Sequence, residues 1–177
     1  GSIFIGNENI TSSATEVTIE KGALVAQEQS LQTLWVNNVD VLNGGSVPGV
    51  SFDPETNTLT LENAVIDTVC EEGYGDGIYA EGDLTIVLKG ENVIRGEEMD
   101  YGIDVDPGSL TIIGDGSLEV EAVDNAIYVG ENLVIGGTVN IQASARGSAL
   151  YAGNVIKIGE EYFFISDTDV TIQNGVL

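Results

Sequence analysis

Gly77-Ile-Tyr-Ala-Glu-Gly-Asp-Leu-Thr-Ile86 returns three times with small changes. The later copies are Gly102-Ile-Asp-Val-Asp-Pro-Gly-Ser-Leu-Thr-Ile112, Ala126-Ile-Tyr-Val-Gly-Glu-Asn-Leu-Val-Ile135 and Ala149-Leu-Tyr-Ala-Gly-Asn-Val-Ile-Lys-Ile158, and the starts lie 25, 24 and 23 residues apart. A recurrence of that length, made of short alternating runs and glycine turns, describes one coil of a solenoid, because each copy buries its apolar side only by stacking on the next.

Within each copy the apolar positions alternate as a half-buried strand requires. Ile78, Ile103, Ile127 and Leu150 form one inward column, and Ala80, Val105, Val129 and Ala152 form the next. Leu84, Leu110, Leu133 and Ile156, then Ile86, Ile112, Ile135 and Ile158, repeat the logic on a second strand. A third short strand follows around Val93-Ile94, Leu118-Glu-Val120 and Val139-Asn-Ile141. Glycines such as Gly82, Gly90, Gly114 and Gly137 mark the corners. Three strands per turn without helical periodicity predict an all-β, single-stranded parallel β-helix. Its hand is expected to be right, from the chirality of parallel crossovers.

The run Leu59-Thr-Leu-Glu-Asn-Ala-Val-Ile66 matches the text one coil later, so residues 58–177 read as the solenoid and 1–57 as N-terminal strands and a cap. Leu34-Trp-Val-Asn-Asn-Val-Asp-Val41 and Val50-Ser-Phe52 supply cap strands, with Trp35 and Phe52 as bulky groups to cover an exposed solenoid end. Ile3-Phe-Ile5 and Val17-Thr-Ile19 are further strand candidates, and Tyr162-Phe-Phe-Ile165 with Val170-Thr-Ile172 predicts one more coil at the other end.

The chain's 177 residues, 42% of them hydrophobic, suffice for a packed core. Twenty-nine acidic against five basic side chains give a formal charge of −24. That charge repels nucleic acid and anionic lipid. A single cysteine, Cys70, permits no internal disulfide, and the absence of histidine removes the common zinc and iron ligand sets. No stretch reaches the roughly 20 apolar residues of a membrane-spanning helix, which argues against direct membrane insertion. An acidic, Gly-, Asn- and Thr-rich composition is that of an exported bacterial surface protein, and the number of subunits is left open.

The coil text and the preceding Leu34-Trp-Val-Asn37 and Phe52-Asp-Pro-Glu-Thr-Asn-Thr-Leu-Thr-Leu61 together resemble clostridial surface proteins. Among these is a calcium-dependent carbohydrate-binding family with a pectate-lyase-like parallel β-helix. The resemblance spans residues 34–158. It implies the β-helix fold, bound Ca²⁺ and binding of plant polysaccharide without established catalysis.

The residues themselves offer two constellations. With Ile78 and Ala80 inward, Tyr79 faces out, and so do Asp104, Tyr128 and Tyr151. Coils about 4.8 Å apart stack these into an aromatic row interrupted by a carboxylate, suited to sugar rings and their hydroxyls. Tyrosines also stack on β surfaces for structural reasons alone. Asp76, Asp100 and Asp124 precede the repeated phrase and line one corner, while Asp104 and Asp106 share one strand face. Like charges one coil apart repel, and a Ca²⁺ ion would relieve that repulsion through six to eight oxygen ligands. A solvated acidic surface is the plainer reading of any one of these aspartates.

Catalysis finds little support. No histidine serves a nucleophile or an inverting hydrolase, and only Arg95 and Arg146 are present as bases for a Ca²⁺-dependent polysaccharide lyase. The sequence therefore predicts a non-catalytic carbohydrate-binding or adhesion module, located extracellularly or on the cell surface, whose partner is a polysaccharide or surface glycan. A structural or protein-binding spacer is the alternative, and a lyase the third.

Overall fold

The structure, a computed structural model, describes residues 30–68, 75–96 and 98–177 in full, together with the backbone of four short strands upstream. Those four form two antiparallel hairpins, β1 (Ile3–Ile5) with β2 (Glu8–Ile10) and β3 (Thr18–Glu20) with β4 (Ala23–Val25), in sheets separate from the rest. Val17 and Cys70 lie outside the described residues.

Between residues 58 and 158 the chain winds as a parallel β-helix. A lead-in of β5 (Thr33–Val36), β6 (Val39–Asp40) and β7 (Val50–Asp53) precedes β8 (Thr58–Glu62) and β9 (Val65–Asp67). Three complete coils follow: β10 (Ile78–Glu81), β11 (Leu84–Lys89) and β12 (Glu91–Arg95); β13 (Tyr101–Val105), β14 (Leu110–Gly114) and β15 (Ser117–Ala122); β16 (Asn125–Val129), β17 (Asn132–Ile135) and β18 (Asn140–Ala145). A partial coil of β19 (Ser148–Ala152) and β20 (Val155–Ile158) leads to β21 (Glu161–Phe163) and β22 (Asp169–Ile172). The strands stack into three sheets, ordered β6-β5-β10-β13-β16-β19, β7-β8-β11-β14-β17-β20-β21 and β9-β12-β15-β18-β22. Among the described residues there is no helix, so none is long and apolar enough to cross a membrane.

The inward columns match the repeat. Ile78, Ile103, Ile127 and Leu150 are fully buried and paired rung to rung. So are Ile86, Ile112 and Ile135 on the second sheet. The first residue of each copy is small for a steric reason. A Cβ on Gly102 would lie 2.3 Å from Val120 Cγ2 and 2.5 Å from the Ala126 carbonyl oxygen, and one on Gly77 would meet Ile94 Cγ2 at 2.4 Å. The chain turns here from the third sheet into the first, and the third sheet's core residues fill the corner.

The third sheet runs in a register that the repeat text does not display. Leu118 pairs with Ile141 and Val120 with Ala143, so Val139 is a buried corner residue rather than part of the strand. One coil earlier the partner of Leu118 is Asn92, only 2% exposed. Its side chain accepts the Ala64 N–H at 2.9 Å and donates to the carbonyls of Lys89 at 3.1 Å and Ser117 at 3.0 Å. One amide thus ties three successive coils, with one buried bond and two at the edge of the core.

Both ends close with antiparallel strands. Trp35 does not cover the solenoid end; β5 runs antiparallel to β10, turning Leu34 and Val36 inward and Trp35 outward, where it is 39% exposed. At the other end Tyr162 and Val170 do not begin a further coil. Gly159, at a φ of +59°, reverses the chain so that β21 lies antiparallel to β20, and β22 lies antiparallel to β18. Antiparallel strands occupy backbone groups that a next coil would otherwise have taken.

Asn92→Ala should cost about 2 kcal/mol, because it strands one buried N–H and removes the donor to two part-buried carbonyls. Asn92→Leu, though it matches the neighbouring rung in shape, should restore only part of that loss. Urea denaturation of the three proteins provides the comparison, and an unchanged midpoint for Asn92→Ala would contradict the role given to this amide.

Candidate functional site

The outer face of the first sheet concentrates the aromatic side chains. Register places Trp35 opposite Tyr79, Tyr79 beside Asp104, Asp104 beside Tyr128 and Tyr128 beside Tyr151. Asp40 pairs with Trp35 at the far end, its carboxylate accepting from the backbone and side chain of Asn43. Tyr101, the first residue of β13, lies with its ring centroid 5.3 Å from that of Tyr128. Of one tryptophan and six tyrosines in the chain, five stand on this face. The matching outward column on the second sheet reads Thr58, Thr85, Thr111, Val134 and Lys157, and ends on the exposed Tyr162 of the antiparallel β21.

The four residues proposed from the sequence to bind ligand, Tyr79, Asp104, Tyr128 and Tyr151, therefore fall in one column, and Trp35 joins it. Periodicity could not reveal that addition, because β5 enters antiparallel and lies outside the repeat. The rings do not all offer free faces. Tyr128 and Tyr151 stack with centroids 4.9 Å apart and planes 4° apart, while Tyr101 leans on Tyr128 at 43°. Tyr128 is thus flanked by two rings and presents mainly its edge and hydroxyl. Trp35 and Tyr151, 39% and 43% exposed at the two ends of the row, retain accessible ring surface. The Tyr79 hydroxyl donates to Glu81 Oε1 at 3.0 Å, and Thr33 Oγ1 donates to Glu81 Oε2. These bonds, that of Thr33 first, hold the Glu81 carboxyl below its usual range.

Carboxylates surround the row. Asp104 is half-buried between Tyr79 and Tyr128, and its Oδ1 is buried without a hydrogen-bond partner among the described residues. Burial, then Asp76 and Asp106, push its carboxyl up to about 7. Asp76 is buried, and its Oδ1 accepts the Tyr101 N–H at 3.3 Å. Burial raises it to about 6, against the opposing pull of that bond and with a further push from Asp100. Tyr101 is raised by burial and by Asp124, Asp104, Asp100 and Asp76, so all four stand within electrostatic reach of one ring. Asp106 leans over Gly130, where a Cβ would lie 2.2 Å from its Oδ1.

The five aspartates proposed as metal ligands, Asp76, Asp100, Asp104, Asp106 and Asp124, are thus neighbours of the aromatic row. They spread around Tyr101 and Tyr128 rather than converging. Among the described residues no group of three or more acidic or cysteine side chains is disposed to hold a metal ion.

A groove of about 620 Å³ lies over the corner from the third sheet into the first, lined by Asp67, Arg95, Glu98, Glu121, Arg146 and Asp169, among others. Both arginines of the chain line it, a proximity that follows from the register of Arg95 beside Asp67 and that sequence reasoning missed. Among the described residues no aromatic side chain lines it. The arginines therefore face a different surface from Asp104 and Asp106. Comparison with protein-family models, with curated proteins and with solved structures finds no match.

Two raised carboxyls make stability depend on pH in an unusual direction. A carboxyl whose folded pKa exceeds its unfolded value binds protons more readily when folded, so stability falls as pH rises between the two values. For Asp104 that window runs from 3.8 to about 7 and for Asp76 from 3.8 to about 6. Urea midpoints should therefore increase as the pH is lowered from about 8 to about 5. Asp104→Asn should stabilise the protein by about 2 kcal/mol at the upper end of that range and by little at the lower end. A midpoint that falls with acidification, or an Asp104→Asn variant that is less stable near pH 8, would contradict the assignment.

Proposed function

We propose that this protein is a non-catalytic carbohydrate-binding module whose ligand lies along the outer face of the first sheet, from Trp35 to Tyr151. The single observation that carries the reading is the gathering of Trp35, Tyr79, Tyr101, Tyr128 and Tyr151 on one face, against one ring, Tyr162, among threonine, valine and lysine on the equivalent column of the next sheet. Aromatic rings with polar tips, flanked by carboxylates, meet both the apolar faces and the hydroxyls of a sugar. In this reading the terminal rings of Trp35 and Tyr151 stack on sugar units, while tyrosine hydroxyls and carboxylates between them bond to the sugar hydroxyls. The spacer reading accounts for the tight Tyr128–Tyr151 stack but gives no reason for an exposed tryptophan on the same line.

A lyase reading draws no support from the arginines, which line another groove. Secretion and display on a bacterial surface accord with the composition and remain part of the proposal. Calcium is not required by the reading, since among the described residues no group of three or more carboxylates is disposed to hold a metal ion.

Trp35→Ala and Tyr151→Ala should each weaken binding to a responsive oligosaccharide about tenfold, and the double variant should abolish it, with little change in the urea midpoint of either single variant. Binding is expected to survive a chelator. A glycan array followed by calorimetry tests these outcomes, and an array on which wild type and double variant behave alike would remove the proposal.

A further inference from the structure

Electrostatics narrows the sugar class. We infer that the preferred ligand is a polymer of amino sugars with free, protonated amines, and not a neutral glycan or a uronate. The inference rests on the carbohydrate-binding reading above and deepens it.

The aromatic row supplies the contact surface, and its surroundings carry one sign of charge only. Asp40 and Asp104 stand in the row itself. Asp76, Asp100 and Asp124 flank it on the side of Tyr101, and Glu81 and Asp106 follow on the other side. The basic residues among the described residues are all elsewhere. Lys89 ends β11 and Lys157 lies on β20, both in the second sheet, and Lys157 pairs with Glu160 at 3.4 Å. Arg95 and Arg146 line the separate groove. No cation among the described residues neutralises these carboxylates, and a total charge of −24 reinforces the local field at long range.

A uronate polymer approaching such a face meets repulsion at every unit. A neutral polymer gains stacking but leaves the carboxylates without counter-charge. An ammonium-bearing sugar provides both parts, with an apolar ring face for an aromatic side chain and a cation for the neighbouring carboxylate or ring face. Asp104 stands between two tyrosine rungs with one buried oxygen that has no hydrogen-bond partner among the described residues, and a cation beside it would offset the burial that favours its protonated form. A carboxylate held between aromatic rings is the combination that selects ammonium groups. Rungs repeat about every 4.8 Å along the solenoid, a spacing comparable to one hexose unit, so successive units of an extended polymer can meet successive rungs.

The test uses the intact chain and four hexamers of β-linked sugars or their acidic counterpart: glucosamine, N-acetylglucosamine, glucose and galacturonate. Oligolysine of matching charge is the fifth probe. Calorimetry at about pH 6 and low salt, where most amines of the glucosamine hexamer are protonated, should show it binding at least about tenfold tighter than either neutral hexamer, with no binding of the galacturonate. The preference should shrink toward parity in high salt and in the Asp104→Asn/Asp106→Asn double variant, whose retained fold is checked by its urea midpoint. Neutral and amino hexamers binding equally would overturn the inference and leave the carbohydrate-binding proposal standing. Binding of oligolysine as tightly as the glucosamine hexamer would also overturn it, since charge alone would then explain the result. Tightest binding by galacturonate would overturn it as well, and failure of every sugar would overturn both proposals.

Discussion

Backbone hydrogen bonding between parallel strands of successive coils is the constraint from which the rest of this structure follows. It fixes one rung per coil and therefore forces residues with equal places in the repeat into columns. A slip of one residue would exchange the inward isoleucines for outward tyrosines and carboxylates. The register is secured at the corners, where the small residues Gly77, Gly102, Ala126 and Ala149 leave room for the third sheet's side chains. It is secured again by Asn92, whose amide reaches the backbone of the coils before and after its own.

Charge contributes little to holding the coils together. The one ion pair among the described residues, Lys157 with Glu160, joins an exposed side chain to its neighbour three positions on. Pairs of that kind are worth under about 1 kcal/mol. The core is aliphatic and continuous from Leu34 to Ile172, and the acidic side chains, Asp76 aside, lie around it rather than within it. The carboxylates of the first sheet's outer face are therefore not explained by packing, and Asp104 and Asp76 oppose folding when charged. Their retention beside the aromatic row makes better sense as a property of the surface than of the fold.

The parts of this architecture that repeat were legible in the sequence, and the parts that occur once were not. Four aligned copies revealed the inward isoleucine columns and the outward Tyr79, Asp104, Tyr128 and Tyr151, because each position was sampled several times. Asn92 was hidden, since an asparagine at the end of an apolar run reads as a turn residue until pairing sets it beside Leu118. Trp35 was assigned to the cap because bulk alone cannot tell a strand's inner side from its outer one, and the antiparallel entry of β5 lies outside the periodic text. The closing strands β21 and β22 carry the same alternation as a coil, so only the reversal at Gly159 separates a lid from another turn. The dispersal of the five aspartates depends on side-chain direction, which spacing does not encode.

The near-equal length of the coils has a hereditary consequence. The segment from Gly102 to Asn125 begins and ends at equivalent points of the winding, and its neighbours present the same joints. Tandem duplication or loss of such a segment would rejoin strand to strand with every column intact and both lids undisturbed. Relatives built this way would differ in whole rungs. The reach of the aromatic face could then lengthen or shorten in evolution in discrete steps, each leaving the remaining contacts where they were.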